Sequence, residues 1–203
     1  DIFMYYAIKF GWVSLPKVKF ENIALDIETL NQATLKGVYD ICAISFALYP
    51  FVKDDFALLK TAVSFGEGYG PKLIKKKGAK LKKNFKVALS GELTTNALLF
   101  KIAYPDARIS YMNFLDIENA VINGDVDAGV LIHESILTYS SLLEVEREIW
   151  DIWVELCNGE ELPLPLGGMC LRRSIPLSES IKYENVLIKA VDVANKNRKT
   201  LAP

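Results

Sequence analysis

Histidine is almost missing from this chain: His133 is the single imidazole among 203 residues. That scarcity excludes most metal chemistry. "HESIL" lacks the second histidine of H-E-x-x-H, and one His with Cys42, Cys157 and Cys170 assembles no zinc site without several carboxylates. Three scattered cysteines in apolar context also exclude a disulfide framework, and they fit reduced, buried thiols of a cytoplasmic protein. No apolar run approaches the roughly 18 residues of a membrane span, and the opening "DIFMYYAIKF" lacks the basic start and cleavage site of a signal peptide. Charge of one sign is not in excess either. A net charge of −1 gives no global field to draw nucleic acid or an anionic membrane. The glycines of "GEGYGP" do not follow G-x-G-x-x-G and no G-K-[ST] follows them, so they make a sharp turn between lobes rather than a nucleotide loop. There is no G-x-S-x-G elbow for a serine hydrolase.

What the chain does have is a core. Hydrophobic residues make up 51% of it and charged residues 24%, as in an ordinary globular protein. Ile2–Phe10 reads as a buried helix stopped by Gly11, and Val18–Leu25 has strand composition. Asp26 is placed to cap a helix that ends at Gly37. A strand through Ile44 then turns at Ser45 into a short helix, and Phe56–Val63 is strand-like. The lysine-rich Pro71–Lys86 reads as a solvated strand-turn-strand edge. "NFKVALSG", "RISYM" and "VDAGVLI" are strands separated by the helical "TTNALLFKIAY" and "LDIENAVINGD". "LLEVEREIWDIWVELCNG" looks largely helical, and the prolines of "LPLPLGGMCLRR" confine that extended stretch to an edge or a crossover. Glu179–Arg198 is the last helix. Strands alternating with helices predict an α/β fold with mostly parallel sheets.

In open α/β sheets, ligands bind beyond the carboxyl ends of the strands. Three segments put polar groups there: Ser45 after "ICAI", Thr94 and Thr95 after "VALSGEL", and His133 after "AGVLI". The threonines open a helix, where free N–H groups and the macrodipole favour an anion; they serve either a carboxylate ligand or the helix cap alone. His133 either bonds a loop carbonyl or exchanges protons near neutrality, where an ordinary imidazole titrates. Asp125 and Asp127 precede their strand, at the opposite end, and read as a solvated turn.

The strings "DIFMYYA", "IETLN", "AISFALYP", "GEGYGP", "SGELTTNALL", "GDVDAGVLIHES" and "LPLPLGG", in this order over nearly the whole chain, resemble the 1,4-dihydroxy-6-naphthoate synthases of the futalosine route to menaquinone. The resemblance implies a two-lobed fold like that of type II periplasmic binding proteins, with a ligand cleft between lobes. Lobe one would take residues 1–75 and 162–203, and lobe two residues 76–161. It also implies a lyase converting cyclic dehypoxanthinyl futalosine to 1,4-dihydroxy-6-naphthoate plus dihydroxyacetone. His133 would be its general base, with ligand contacts from Ala43, Ile44 and Ser45 and from Thr94 and Thr95. The implied partner is a small aromatic carboxylate, with no cofactor, metal, nucleic acid or membrane. By the same resemblance a strand is expected before Asp1 and further helices after Pro203. A solute-binding protein and a chorismate-dehydratase-like enzyme are the alternatives on this fold, and the latter branch lacks the histidine.

Overall fold

The computed structural model describes residues 2–201; Asp1, Ala202 and Pro203 lie outside them. Helices are α1 (Ile2–Lys9), α2 (Ile27–Leu35), α3 (Tyr49–Val52), α4 (Thr95–Ala103), α5 (Ile117–Asn123), α6 (Ile149–Leu156), α7 (Leu177–Lys196) and α8 (Arg198–Leu201). Strands are β1 (Ile41–Ser45), β2 (Phe56–Leu58), β3 (Ser64–Gly66), β4 (Lys72–Lys76), β5 (Lys86–Leu89), β6 (Arg108–Tyr111), β7 (Ala128–Leu131), β8 (Leu143–Glu148) and β9 (Leu164–Arg172). They form two compact units. The first runs to Ile44, resumes over Phe51–Val63 and continues from Gly168; the second comprises Ser45–Pro50 and Ser64–Gly167.

In the first unit, the later half of β9 lies between β1 and β2, antiparallel to β2 with Phe56 opposite Arg172. α1 and α7 cover this sheet. Met4, Ala7, Met169, Leu171, Val186, Leu187 and Ala190 are buried together there, spaced three or four apart along α7 as an inward helical face requires. Asp26 caps α2 as its sequence position predicts, accepting from the Glu28 and Thr29 amides at 3.1 Å. Val18–Leu25 forms no named strand despite its composition, because strand propensity expresses itself only where a neighbouring strand supplies ladder partners.

The second unit holds a five-stranded sheet in the order β6-β5-β7-β4-β8. β5 runs parallel to both β6 and β7, whereas β4 is antiparallel to β7 and β8, so the sheet is mixed rather than mostly parallel. Alternation along β5 sorts the two faces. Val87 and Leu89 join Phe100, Ile149 and Ile152 under α4 and α6, and Ala88 joins Ile117 and Val121 under α5. Gly129 of β7 is where α5 comes closest. A Cβ there would lie 2.4 Å from Ile117 Cγ2, so only glycine lets this helix seat.

Several sequence expectations are corrected here. The lysine segment is not a sheet edge: β4 is an interior strand with Leu73 and Ile74 fully buried. Its lysines are neutralised by β8, Lys72 by Glu148 at 3.8 Å and Lys75 by Glu144 and Glu146 at 3.5 and 2.5 Å. The hydrogen bond to Glu146 comes first among the effects that raise the Lys75 pKa above the usual lysine value. Leu143–Glu148 is a strand rather than the start of a helix, because "LEVERE" alternates and pairs with β4. β4 is registered between β7 and β8, within the Ser64–Gly167 stretch of the second unit. β9 is interior to its sheet and is the crossover segment, its residues through Gly167 in one unit and from Gly168 in the other.

Candidate active site

The second unit assembles the polar groups on one sheet edge. β5 pairs with β7 in parallel, Val87 with Ala128 and Ala88 with Gly129, and with β6 from Lys86–Arg108 to Leu89–Tyr111. The three strands therefore end side by side. Ser90 follows β5, Met112 follows β6, and Ile132 and His133 follow β7. The Met112 N–H donates to Leu89 O at 3.1 Å, which fixes the alignment at this edge. At the other end, Asp127 accepts from the Lys86 amide at 2.7 Å, so the acidic turn lies away from the site as its sequence position indicates.

Helix α4 brings its amino end to this edge. Phe100 stacks on Tyr104 with centroids 4.9 Å apart, and Phe85 meets both rings edge-on at 6.0 and 5.5 Å. Such pairs each contribute about 0.5–1.5 kcal/mol beyond their buried area, and they pin the helix beside the start of β5. Thr94 is the N-cap: extended backbone, its Oγ1 accepting from Ala97 N at 3.3 Å. The same hydroxyl donates to Gly91 O at 3.0 Å and touches Asn96 Oδ1. A hydroxyl has one proton, so the donor of Thr94 is spent inside the turn and none is left for a ligand anion.

Thr95 is occupied too. Its hydroxyl donates to Leu166 O at 2.8 Å and accepts from Ala47 N at 3.3 Å, while Phe46 N donates to Leu166 O at 3.2 Å. Thr95 thus ties the Ser45–Pro50 segment and β9 to the start of α4. Ser45 is the last residue of β1 and is buried, where its position after an apolar strand suggests a side chain open to a crevice. The N–H groups of Thr95 and Asn96, the first two of the helix, have no intrahelical acceptor and carry the positive end of its dipole.

His133 is exposed and opens a single 3₁₀ turn, His133–Ile136, directly after β7. Its φ is +55°, a left-handed conformation that costs a non-glycine residue on the order of 1 kcal/mol and that clusters at functional sites. Ser135 Oγ donates to Ile132 O and holds the turn. The imidazole stands edge-on to Phe114, centroids 5.3 Å apart, on the loop after β6.

Ala43 and Ile44 belong to the first unit. Ile44 is fully buried, and Ala43 lines a cavity of about 550 Å³ with Tyr5, Tyr39, Cys42 and Met169. Sequence reasoning missed Ser90. Its Oγ is buried without a hydrogen-bond partner, and the "SG" that follows the strand reads simply as turn chemistry. Among the described residues no cluster of three or more His, Cys, Asp or Glu side chains is arranged to hold a metal ion, and no helix is long and apolar enough to cross a membrane.

The chain is similar to known proteins over most of its length. A 1,4-dihydroxy-6-naphthoate synthase of Thermus thermophilus is 32% identical over 178 residues, 86% of this chain and 63% of that protein. One from Streptomyces coelicolor is 33% identical over 182 residues, with the same coverage. The chain thus spans about 63% of the length of these curated relatives. The crystal structure of a protein from Archaeoglobus fulgidus superposes with a TM-score of 0.89 at 34% identity, covering 98% of this chain and 74% of that one. The periplasmic aliphatic sulphonate binding protein of Escherichia coli matches at a TM-score of 0.66 and 13% identity, over 98% of this chain and 71% of its own, which shows a shared fold alone. With the menaquinone-biosynthesis family profile matching residues 1–203, the chain belongs to that family, on the two-lobed α/β fold of substrate-binding proteins.

Proposed function

We propose that this protein is a carbon–carbon lyase that converts cyclic dehypoxanthinyl futalosine to 1,4-dihydroxy-6-naphthoate and dihydroxyacetone. The observation that carries the reading is the shared edge: His133 follows β7, and the α4 amino terminus follows β5, its parallel neighbour. In this reading the aromatic carboxylate rests on the helix amides at Thr94–Thr95, where partial positive charge already favours an anion. Both threonine hydroxyls shape that cradle from within. Ser45, with Ala43 and Ile44 leading to it, meets the ligand's other polar edge. His133 removes a proton from the sugar portion as the carbon–carbon bond breaks, general-base work typically worth about 10²–10⁴-fold in rate. Aromatisation of the new ring supplies the driving force, so the reaction calls for no cofactor. The buried, reduced Cys42 and Cys170 suit a cytoplasmic setting.

Incubating the protein with the cyclic futalosine derivative and following dihydroxynaphthoate by its absorbance tests the reading. Product in proportion to enzyme is expected. Tight binding without product, unaltered in a His133→Ala variant, would instead indicate a solute carrier.

A further inference from the structure

With one exception, the polar side chains from the end of β5 to the start of α4 have partners, Glu92 pairing with Lys101 at 3.8 Å. Thr94 is used by Gly91, Asn96 and Ala97, and Thr95 by Leu166 and Ala47. Ser90 is 8% exposed, and its Oγ, buried, has no partner. Among the described residues only Arg172 Nε shares that condition, and Asp40 Oδ1 lies 3.6 Å from it. A buried hydroxyl without a partner costs roughly 1–3 kcal/mol, which alanine at the same place would avoid. A buried hydroxyl of this kind calls for a partner that the described residues do not supply.

Its position is specific. Continuing the β5 register past Ala88–Gly129 and Leu89–Tyr111 brings Ser90 level with Leu131 of β7 and Met112 after β6. It therefore sits on the sheet edge between the strand that leads to His133 and the strand that leads to Phe114, and it begins the turn that ends in the α4 amides. A rotation of χ1 between staggered wells re-aims a serine Oγ with no movement of backbone.

We infer that Ser90 is a further substrate-binding residue, whose hydroxyl donates to a carboxylate oxygen of the ligand held at the α4 amino terminus. This deepens the proposed function and rests on its placement of the carboxylate. Ser90 then supplies a neutral, short-reach donor from the sheet edge, and the helix amides supply the dipole. The unmet hydrogen bond of the free protein is met in the complex.

The test measures two quantities on the whole chain, in wild type and Ser90→Ala: melting temperature without ligand, and ligand affinity by calorimetry. The probes are the cyclic futalosine derivative, bound to proteins that also carry His133→Ala so that turnover is slowed, and benzoate as a bare aromatic carboxylate. The expected result is an unchanged or higher melting temperature with affinity for both probes weakened about 10–100-fold, as for a lost hydrogen bond to a charged group. Affinity for benzoate unchanged within about twofold, or no benzoate binding by wild type, overturns the inference. Benzoate binding that depends on Ser90, with no turnover of the futalosine derivative by wild type, leaves Ser90 standing and removes the lyase reading.

Discussion

His133 is a residue held in a conformation its type adopts rarely. At φ +55° glycine fits without strain and a β-branched residue does not. His133→Gly is therefore expected to melt at or above wild type even as it removes the Phe114 contact, and His133→Val to lose about 1–2 kcal/mol; thermal denaturation of both checks this. The cysteines allow a second test at this scale. Burial, more than any other effect, raises the Cys170 thiol to about 12 and pushes Cys42 upward as well. A thiol so far from ionisation is a poor nucleophile. A thiol reagent at pH 8 should label Cys157, which is partly exposed, at once, and should reach Cys42 and Cys170 only on unfolding. Rapid labelling of all three in the native protein would refute the burial argument. His133 was legible in the sequence because a buried apolar run stops on it. Ser90 was not, since nothing in a chain distinguishes a serine that caps a turn from one left without a partner.

Elements position these residues, and their seating can be perturbed singly. Gly129→Ala drives a methyl into Ile117 and Val121, whose nearest atoms would lie 2.4 and 3.1 Å away. Overpacking of this kind costs about 1–3 kcal/mol. Because β7 leads straight to His133, the variant is expected both to melt lower and to turn over more slowly, and paired melting and rate measurements decide it. Asp26 tests another element. Burial works against its charge, but hydrogen bonds from the Thr29 hydroxyl and from the Thr29 and Glu28 amides outweigh burial and lower its pKa below the ordinary carboxylate value. A depressed folded pKa contributes stability that is present above the unfolded value, near pH 4, and lost as pH falls through the folded one. Asp26→Asn keeps a cap and removes the titration, so its melting temperature should fall less than wild type between pH 5 and 3. The sequence hid other elements for identifiable reasons. "LEVERE" alternates like a strand but runs without a break into the amphipathic α6, and lysines obscured the interior β4 because their partners lie 69 to 76 residues away on β8.

For the whole molecule, the rhythm of strands and helices was enough to give the α/β class, and the ordered strings to give the family. Strand direction was not legible. Whether β4 runs parallel or antiparallel to β7 depends on long-range ladders that leave no mark on local composition. The central claim is that a shared sheet edge in the second unit brings one base and one anion cradle to the same ligand. The most direct test compares wild type and His133→Ala for binding of the cyclic futalosine derivative and for its single-turnover conversion. The account predicts affinity within a few-fold of wild type and a rate lower by about 10²–10⁴-fold. Conversion at the wild-type rate without the imidazole would contradict it.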